Sequence, residues 1–404
     1  MKAKRFFKLI TLLVSTAAIV AACGAPSTQA PIATEPPAIE APATEMATEA
    51  PTEAATEAAT EAPTEAATEA PAAGENPYRP TELLDAVQAI KDATAGQSPP
   101  AGAKYAILTN NLSPFWTAAQ QGASRASAEL GVPITFQGPT AADLLSQQLT
   151  MLETFVNDDY TAMTFSAIDR EAAGSIVQQA VDDGIHVFCM DSDATGTARA
   201  MYIGMSDYDA GVAAAEAALE IIGEGQVVGL VGFATAQNAQ DRIAGVMDTL
   251  EGTGLEMVEV LYDDVKPEVA LSNAQTAIQK YPDLAGFITF YSYDGPAAGQ
   301  AVKQAGKEGE IKIVAFDAEP ETQRLMQEGV VQVMIGQRVF HYGYLSGYVM
   351  HAASILGIEE TLALLEPWRD GEDNFRLNTG IDVIHAETFD LYKEYLNSIG
   401  IPSQ

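Results

Sequence analysis

Six short stretches carry most of the polar chemistry of this chain. They are Asn110-Asn-Leu-Ser-Pro-Phe-Trp116, Ser166-Ala-Ile-Asp169, Asp191-Ser-Asp193, residues 233–241, Ser292-Tyr-Asp294 and Asp317-Ala-Glu319. Carboxylates accept from paired hydroxyls, and charge-assisted bonds of that kind are the stronger ones. Aromatic faces such as Phe115 and Trp116 pack on C–H surfaces. The set is therefore suited to hydrogen bonding and stacking. Equipment for catalysis is missing: no GxGxxG or GxxxxGK[ST] phosphate loop and no GxSxG elbow is found. His186, His341, His351 and His385 are too scattered to suggest a metal site. Cys189, within Val187-Phe188-Cys189-Met190, reads as a small buried hydrophobe. No catalytic residue, metal or cofactor is expected, and the chain is not read as an enzyme.

The elements preceding these stretches must position them. From residue 103 the periodicity alternates. Residues 105–108, 133–136, 162–165, 185–190 and 201–203 predict strands, and 114–130, 141–157 and 169–183 predict helices. Leu145, Leu149, Leu152 and Val156 make one helical stripe. After residue 205 the pattern restarts, with strands at 227–231, 257–261, 287–290 and 311–316 and helices at 208–222, 237–250, 268–280 and 295–305. Strands that are almost wholly apolar, alternating with helices, predict parallel sheets covered on both faces. Two such sets predict an α/β chain of two doubly wound parallel-sheet lobes. Ligands of these sheets bind beyond the carboxyl ends of the strands, where the six stretches fall. Residues 77–102 form a lead-in segment with a short helix over 81–93.

The chain has 404 residues and a formal net charge of −34, which argues against a nucleic-acid partner. The acidity is unevenly spread. Residues 24–76 hold ten Glu and no Lys or Arg, while 77–404 hold 45 acidic and 17 basic residues. The N-terminus reads as an address. Lys2, Lys4, Arg5 and Lys8 precede a short apolar run, too short to span a bilayer, that ends in Val20-Ala21-Ala22-Cys23. This junction resembles a bacterial lipobox, implying a signal peptide over 1–22 and acylation of Cys23. An ordinary secretory signal followed by an incidental cysteine is the alternative. Residues 23–76, built of Ala/Thr/Glu/Pro units, read as a disordered tether behind that cysteine.

Together, the order SPFW, VFCMDSD, QDRIAG, FYSYDGPAAG, IVAFDAEPET and VMIGQRVFHYG resembles the ribose-binding-protein class of solute-binding proteins, over roughly 103–400. The resemblance implies a type I periplasmic binding fold, with two lobes joined by a three-crossover hinge around a sugar. It divides the chain into an N-terminal lobe of 103–204 and 338–376 and a C-terminal lobe of 205–337 and 377–404. The crossovers are expected near 204–206, 337–338 and 377–380. Ligand contacts carried over by the resemblance are Phe115, Trp116, Asp191, Arg242, Asp294, Asp317 and Gln337, with Ser113, Ser166, Ser192, Asn238 and Tyr293 as weaker candidates. Trp116 is expected to line a cleft rather than fill a core. Simpler roles stand beside these: core packing at a helix start for Phe115 and Trp116, a loop cap for Asp191, an ion pair for Arg242, a helix cap for Asn238 and for Asp317, and a structural place for Gln337. Where the class often has Arg, Asn and Asn, this chain has Ser192, Ser166 and Tyr293, so the sugar is not specified. The implied function is an extracytoplasmic, lipid-anchored, monomeric receptor that delivers a monosaccharide or related polyol to an ABC transporter permease. The alternative is a sugar sensor signalling to a membrane kinase or chemoreceptor.

Overall fold

The computed structural model describes residues 76–140, 142–371 and 375–402. The signal peptide, Cys23 and the tether up to residue 75 lie outside these. Among the described residues, no helix is long and apolar enough to cross a membrane.

The chain opens with α1 (Thr81–Ala93) and then builds its first sheet. The elements run β1 (Tyr105–Leu108), α2 (Trp116–Leu130), β2 (Ile134–Gln137), α3 (Leu144–Asn157), β3 (Ala162–Phe165), α4 (Arg170–Asp182), β4 (His186–Met190) and β5 (Met201–Gly204). A second series follows: α5 (Asp207–Ile221), β6 (Gly225–Val231), α6 (Gln237–Leu250), β7 (Leu255–Tyr262), α7 (Pro267–Lys280), β8 (Leu284–Thr289), α8 (Asp294–Ala305), β9 (Lys312–Phe316), α9 (Pro320–Gln327) and β10 (Val333–Gln337). The chain then returns through α10 (Val339–Leu356), α11 (Ile358–Leu365), β11 (Arg369–Asp370) and β12 (Arg376–Asn378), and ends with β13 (Ile381–His385) and α12 (Phe389–Ser398).

Two sheets result. The first has the order β11-β12-β5-β4-β3-β1-β2 and the second β13-β10-β9-β8-β6-β7. Pairing is parallel except at β11–β12 and β10–β13. β1, β3 and β5 are buried along their whole length because helices cover both faces of their sheet. One face of the first sheet packs on α1, α2 and α10, through residues such as Ile90, Trp116 and Tyr348. The other face packs on α3 and α4, through Leu152, Phe155 and Val177. The second sheet is covered in the same two-sided way. The chain passes between sheets at 205–206, at Arg338 and at 379–380.

α10 is buried on nearly every side, which explains why its Tyr-rich sequence shows no polar stripe. Its approach to α2 depends on absent side chains. A Cβ on Gly122 would lie 2.0 Å from Phe340 O, and one on Gly343 would lie 1.9 Å from Ala119 O. Arg338, between β10 and α10, fastens two of the passages together: its Nη2 donates to Asp382 Oδ1 at 2.8 Å and its Nη1 to Thr379 O at 3.0 Å.

The lead-in segment straps the lobes. Asn76 Nδ2 donates to Leu391 O at 2.7 Å, and the Tyr78 hydroxyl donates to Thr388 Oγ1 at 2.5 Å. The Tyr78 ring meets Tyr392 edge-on at 5.2 Å. These contacts lie on the second lobe. A few residues later, Leu83, Ala86, Val87 and Ile90 form the i, i+3, i+4, i+7 stripe of α1 and enter the core of the first lobe. Lys91 adds an ion pair to Glu129 at 3.1 Å. Burial works against the Glu129 carboxylate, but hydrogen bonds from Tyr348, Tyr344, Arg125 and Lys91 hold it at about 2.

Candidate ligand site at the cleft

The loop after β1 is folded by its own polar groups. Asn111 Oδ1 accepts from Ser113 N at 2.8 Å, closing an Asx turn just before Pro114. Asn111 Nδ2 donates to Asn110 Oδ1 at 2.8 Å, and the same oxygen accepts from Trp116 Nε1 at 3.2 Å. Asn110 therefore orients the indole. Phe115 meets Trp116 edge-on, with centroids 4.9 Å apart. Trp116, at 2% exposure, borders the cleft and belongs to the core of the first lobe. The expectation that it does not fill a core is corrected: as the first residue of α2 it is carried inward by the tight α2–α10 packing.

Asp191 follows β4 with a left-handed backbone, φ 61°. Its Oδ2 accepts from Ser166 Oγ at 2.7 Å and from Asn110 Nδ2 at 3.5 Å. In the second lobe, Asn238 and Arg242 sit one turn apart on α6, so they share a face. Asn238 Oδ1 accepts from Tyr291 OH at 3.2 Å. Arg242 Nε donates to Asp207 Oδ1 at 2.9 Å and Nη1 to Phe290 O at 2.8 Å, and the guanidinium lies 4.7 Å from the Phe316 ring centroid. Its Nη2 is 2.9 Å from Asp207 Oδ1 but makes no aligned hydrogen bond. Arg242 is thus both an ion-pair partner and a lining residue. Asp317, φ 68°, accepts from Gln337 Nε2 at 3.0 Å, and Gln337 Oε1 accepts from Tyr342 OH at 2.8 Å. Asp317 does not cap α9, whose N-cap is Glu319.

Electrostatically, the cleft carboxylates Asp191 and Asp317, with Asp207 behind the lining, surround one guanidinium. Burial pushes Asp191 up to about 6, with Arg242 and Ser166 pulling the other way. Burial likewise takes Asp207 to about 7 and Asp317 to about 8, each against the pull of Arg242. Burial opposes the charge on Arg242, yet Asp207, Asp317 and Asp191 together raise its pKa. A hydroxyl can supply a donor to Asp191 or Asp317 and an acceptor to Nη2, which makes no aligned hydrogen bond.

Nine of the expected residues meet at this cleft: Ser113, Phe115, Trp116, Asp191, Asn238, Arg242, Tyr293, Asp317 and Gln337. Three stand behind the lining. Ser166 serves as the donor that holds Asp191. Ser192 is fully buried, and its hydroxyl has no hydrogen-bond partner. Asp294 is also fully buried; it accepts from Tyr291 N at 3.2 Å, and both burial and the neighbouring Asp263 raise its pKa. The Tyr293 hydroxyl donates to Asp263 Oδ1 at 2.5 Å. Four lining residues were not among the expected ligand contacts: Asn110, Asn111 and Ser292, which lie within the polar stretches read from sequence, and Tyr291, which does not. All lie close to residues that were expected, and their positions right after β1 and β8 are the available signal. The free space at the centre is about 30 Å³, enough for a water or two and too little for a pyranose.

With two sheets of order 2-1-3-4-5 facing across this cleft, the family is decided by a match over residues 105–357 to the periplasmic binding protein domain. The chain belongs to the periplasmic binding protein family. The D-allose-binding periplasmic protein of Escherichia coli is 24% identical over 250 residues, covering 59% of this chain and 80% of that one. The D-ribose/D-allose-binding protein of Pseudomonas aeruginosa is 23% identical over 193 residues, or 46% of this chain, and the match spans 60% of that protein's length. Among solved structures, the sugar-binding protein of a sugar ABC transporter from Bacillus halodurans is similar, with 25% identity and TM-score 0.60 over 72% of this chain and 99% of that one. The XylFII–LytSN complex contains a chain of like fold, with 21% identity and TM-score 0.63, covering 72% of this periplasmic binding protein and 100% of that chain. The fold is that of type I periplasmic binding proteins, two lobes of mostly parallel sheet.

Proposed function

We propose that this chain is an extracytoplasmic solute-binding lipoprotein that captures a monosaccharide or a similar small polyol between its lobes and delivers it to an ABC importer. One observation carries the reading: Asp191 and Trp116 from one lobe and Arg242 and Asp317 from the other converge on a single cleft. Relatives named for D-allose, D-ribose and sugar import support it, and these are binding proteins rather than enzymes. Neither half-site encloses a sugar alone. Ligand therefore favours the closed lobes through contacts made only there. A micromolar dissociation constant corresponds to about −8 kcal/mol, within reach of aromatic packing plus several charge-assisted bonds. Acylated Cys23 would hold the receptor on the membrane, where acyl chains contribute about 0.8 kcal/mol per buried CH₂.

The test is calorimetry with D-ribose, D-allose, D-arabinose, D-glucose, D-galactose and small polyols. At least one is expected to bind, and Asp191→Ala and Arg242→Ala are each expected to weaken it tens- to thousands-fold. Silence across the panel, or wild-type affinity in both variants, sinks the reading. Anchoring is checked separately, since Cys23→Ser should abolish detergent-phase partitioning. The second reading, a sensor that reports occupancy to a membrane kinase or chemoreceptor, is favoured by the likeness to the XylFII–LytSN complex. Co-purification of the sugar-loaded protein with a permease or with a sensor from the native membrane separates the two.

A further inference from the structure

A second space lies beside the cleft. About 250 Å³ is free there, against about 30 Å³ at the carboxylate cluster. Phe115 and Ala118 wall it from α2, Val339 and Phe340 from α10, and Tyr392 and Tyr395 from α12. Both lobes therefore build it, as they build the cleft. Phe115, Asp317 and Gln337 border both spaces, so the two meet across these three side chains.

Their chemistries differ. The cleft is lined with carboxylates, amides and a guanidinium. The chamber presents mostly aromatic rings and hydrocarbon, with Gln121, Glu319 and Gln323 as its polar part. Its one cationic wall, Arg338, is already engaged by Asp382 and by Thr379 O. Hydroxyls turned toward the rings of Phe115, Phe340, Tyr392 and Tyr395 would lose water without regaining partners, which costs free energy. An apolar group would gain from the same burial. A cavity of about 150 Å³ lined by apolar side chains holds a benzene ring, so this one has room for a phenyl group or a short alkyl chain.

We propose that the ligand is a glycoside, with the sugar in the carboxylate cleft, whose free space of about 30 Å³ must widen by parting of the lobes to admit the ring, and an apolar aglycone in the chamber. The linkage would pass Phe115 opposite the Asp317–Gln337 pair. This rests on the sugar-binding reading and narrows it from free monosaccharides to sugars carrying an aryl or alkyl substituent.

The test is calorimetry of the protein with D-ribose, D-allose and D-galactose, each as free sugar, methyl glycoside and phenyl glycoside in both anomers. For a sugar that binds, one phenyl anomer is expected to bind at least about tenfold tighter than its methyl counterpart, with a more negative heat-capacity change. Ala118→Phe fills the chamber from α2, at a residue that lines the chamber and not the cleft. It is expected to erase the phenyl preference while leaving free-sugar affinity within about twofold. If a free sugar binds and neither phenyl anomer gains on the methyl form in the wild-type protein, the chamber proposal is overturned and the sugar reading stands. Should no sugar or glycoside bind, both fall together. The wild-type comparison decides even if Ala118→Phe does not fold.

Discussion

Asp191 and Asp317 occupy the same place in their two lobes. Each is the first residue after the fourth strand of a 2-1-3-4-5 sheet, β4 in one and β9 in the other. Each has a left-handed backbone, with φ 61° and 68°. Each is buried and has one carboxylate oxygen held by a neighbouring donor, Ser166 or Gln337. The cleft is thus a facing pair of equivalent corners, and Arg242 lies among the charges of both.

The backbone of these corners can be tested apart from their charge. Asn tolerates the left-handed region nearly as well as Asp, whereas Ala pays about 1–2 kcal/mol there. Asp191→Asn and Asp317→Asn are expected to remain more stable to urea than the matching Ala variants. Equal midpoints for Asn and Ala would remove the backbone from the explanation.

Stability should fall as pH rises. Asp191, Asp207 and Asp317 are raised to about 6, 7 and 8 in the fold, so the folded state holds protons the unfolded chain has released. That contribution is complete below the ordinary carboxylate range near pH 4, is lost progressively above it, and is gone once pH passes about 8. Urea midpoints between pH 5 and 9 should decline, and Asp317→Asn should flatten the part of the decline between 7 and 8. A midpoint that climbs over this range contradicts the electrostatics of the cleft.

Removing Arg242 strands three buried carboxylates. Arg242→Ala is expected to cost about 3–5 kcal/mol of stability, the usual penalty for breaking a buried pair. Adding Asp207→Asn should recover part of that loss, because Asp207 is its direct partner at 2.9 Å. A double variant no more stable than the single one would show that Asp207 is not its main partner.

Trp116 needs a gentle substitution. As a core residue, its change to Ala is expected to cost about 3–5 kcal/mol. Trp116→Phe keeps an aromatic face, loses the bond to Asn110, and should weaken sugar binding while leaving the melting temperature nearly intact. Loss of folding in the Phe variant would show that the indole serves the core rather than the ligand.

Much of this was legible in the chain. Tyr105-Ala-Ile-Leu108 and Ala162-Met-Thr-Phe165 are strands because both faces of each are covered, and an apolar run is what such a strand requires. β11 and β12 escaped that logic: Arg369-Asp370 and Arg376-Leu-Asn378 lie at a sheet edge, where polar residues suffice. Asp294 opens α8 in the segment after β8, and residue type alone makes it look like Asp191 and Asp317. Its Oδ2 accepts from Tyr291 N, and the neighbouring Asp263, which raises its pKa, lies on another loop of the chain. The chamber was illegible for a similar reason. Tyr392 and Tyr395 reach Ala118 only through the docking of the last helix, which no local pattern reports.

The strap from Asn76 to α1 gives the fold a mechanical polarity. A pull applied on the N-terminal side of Asn76 enters the second lobe first, through Leu391 O and the buried Tyr78 ring, and reaches the first lobe only afterwards through α1. The contacts at Tyr78 are few and would be loaded almost one at a time, like a zip. The stripe of α1 buries four apolar side chains in the first lobe and is the broader attachment. Tension on the N-terminal side would therefore detach Asn76 and Tyr78 while both sheets remain folded, and the freed residues would serve as slack before any load reached the hinge.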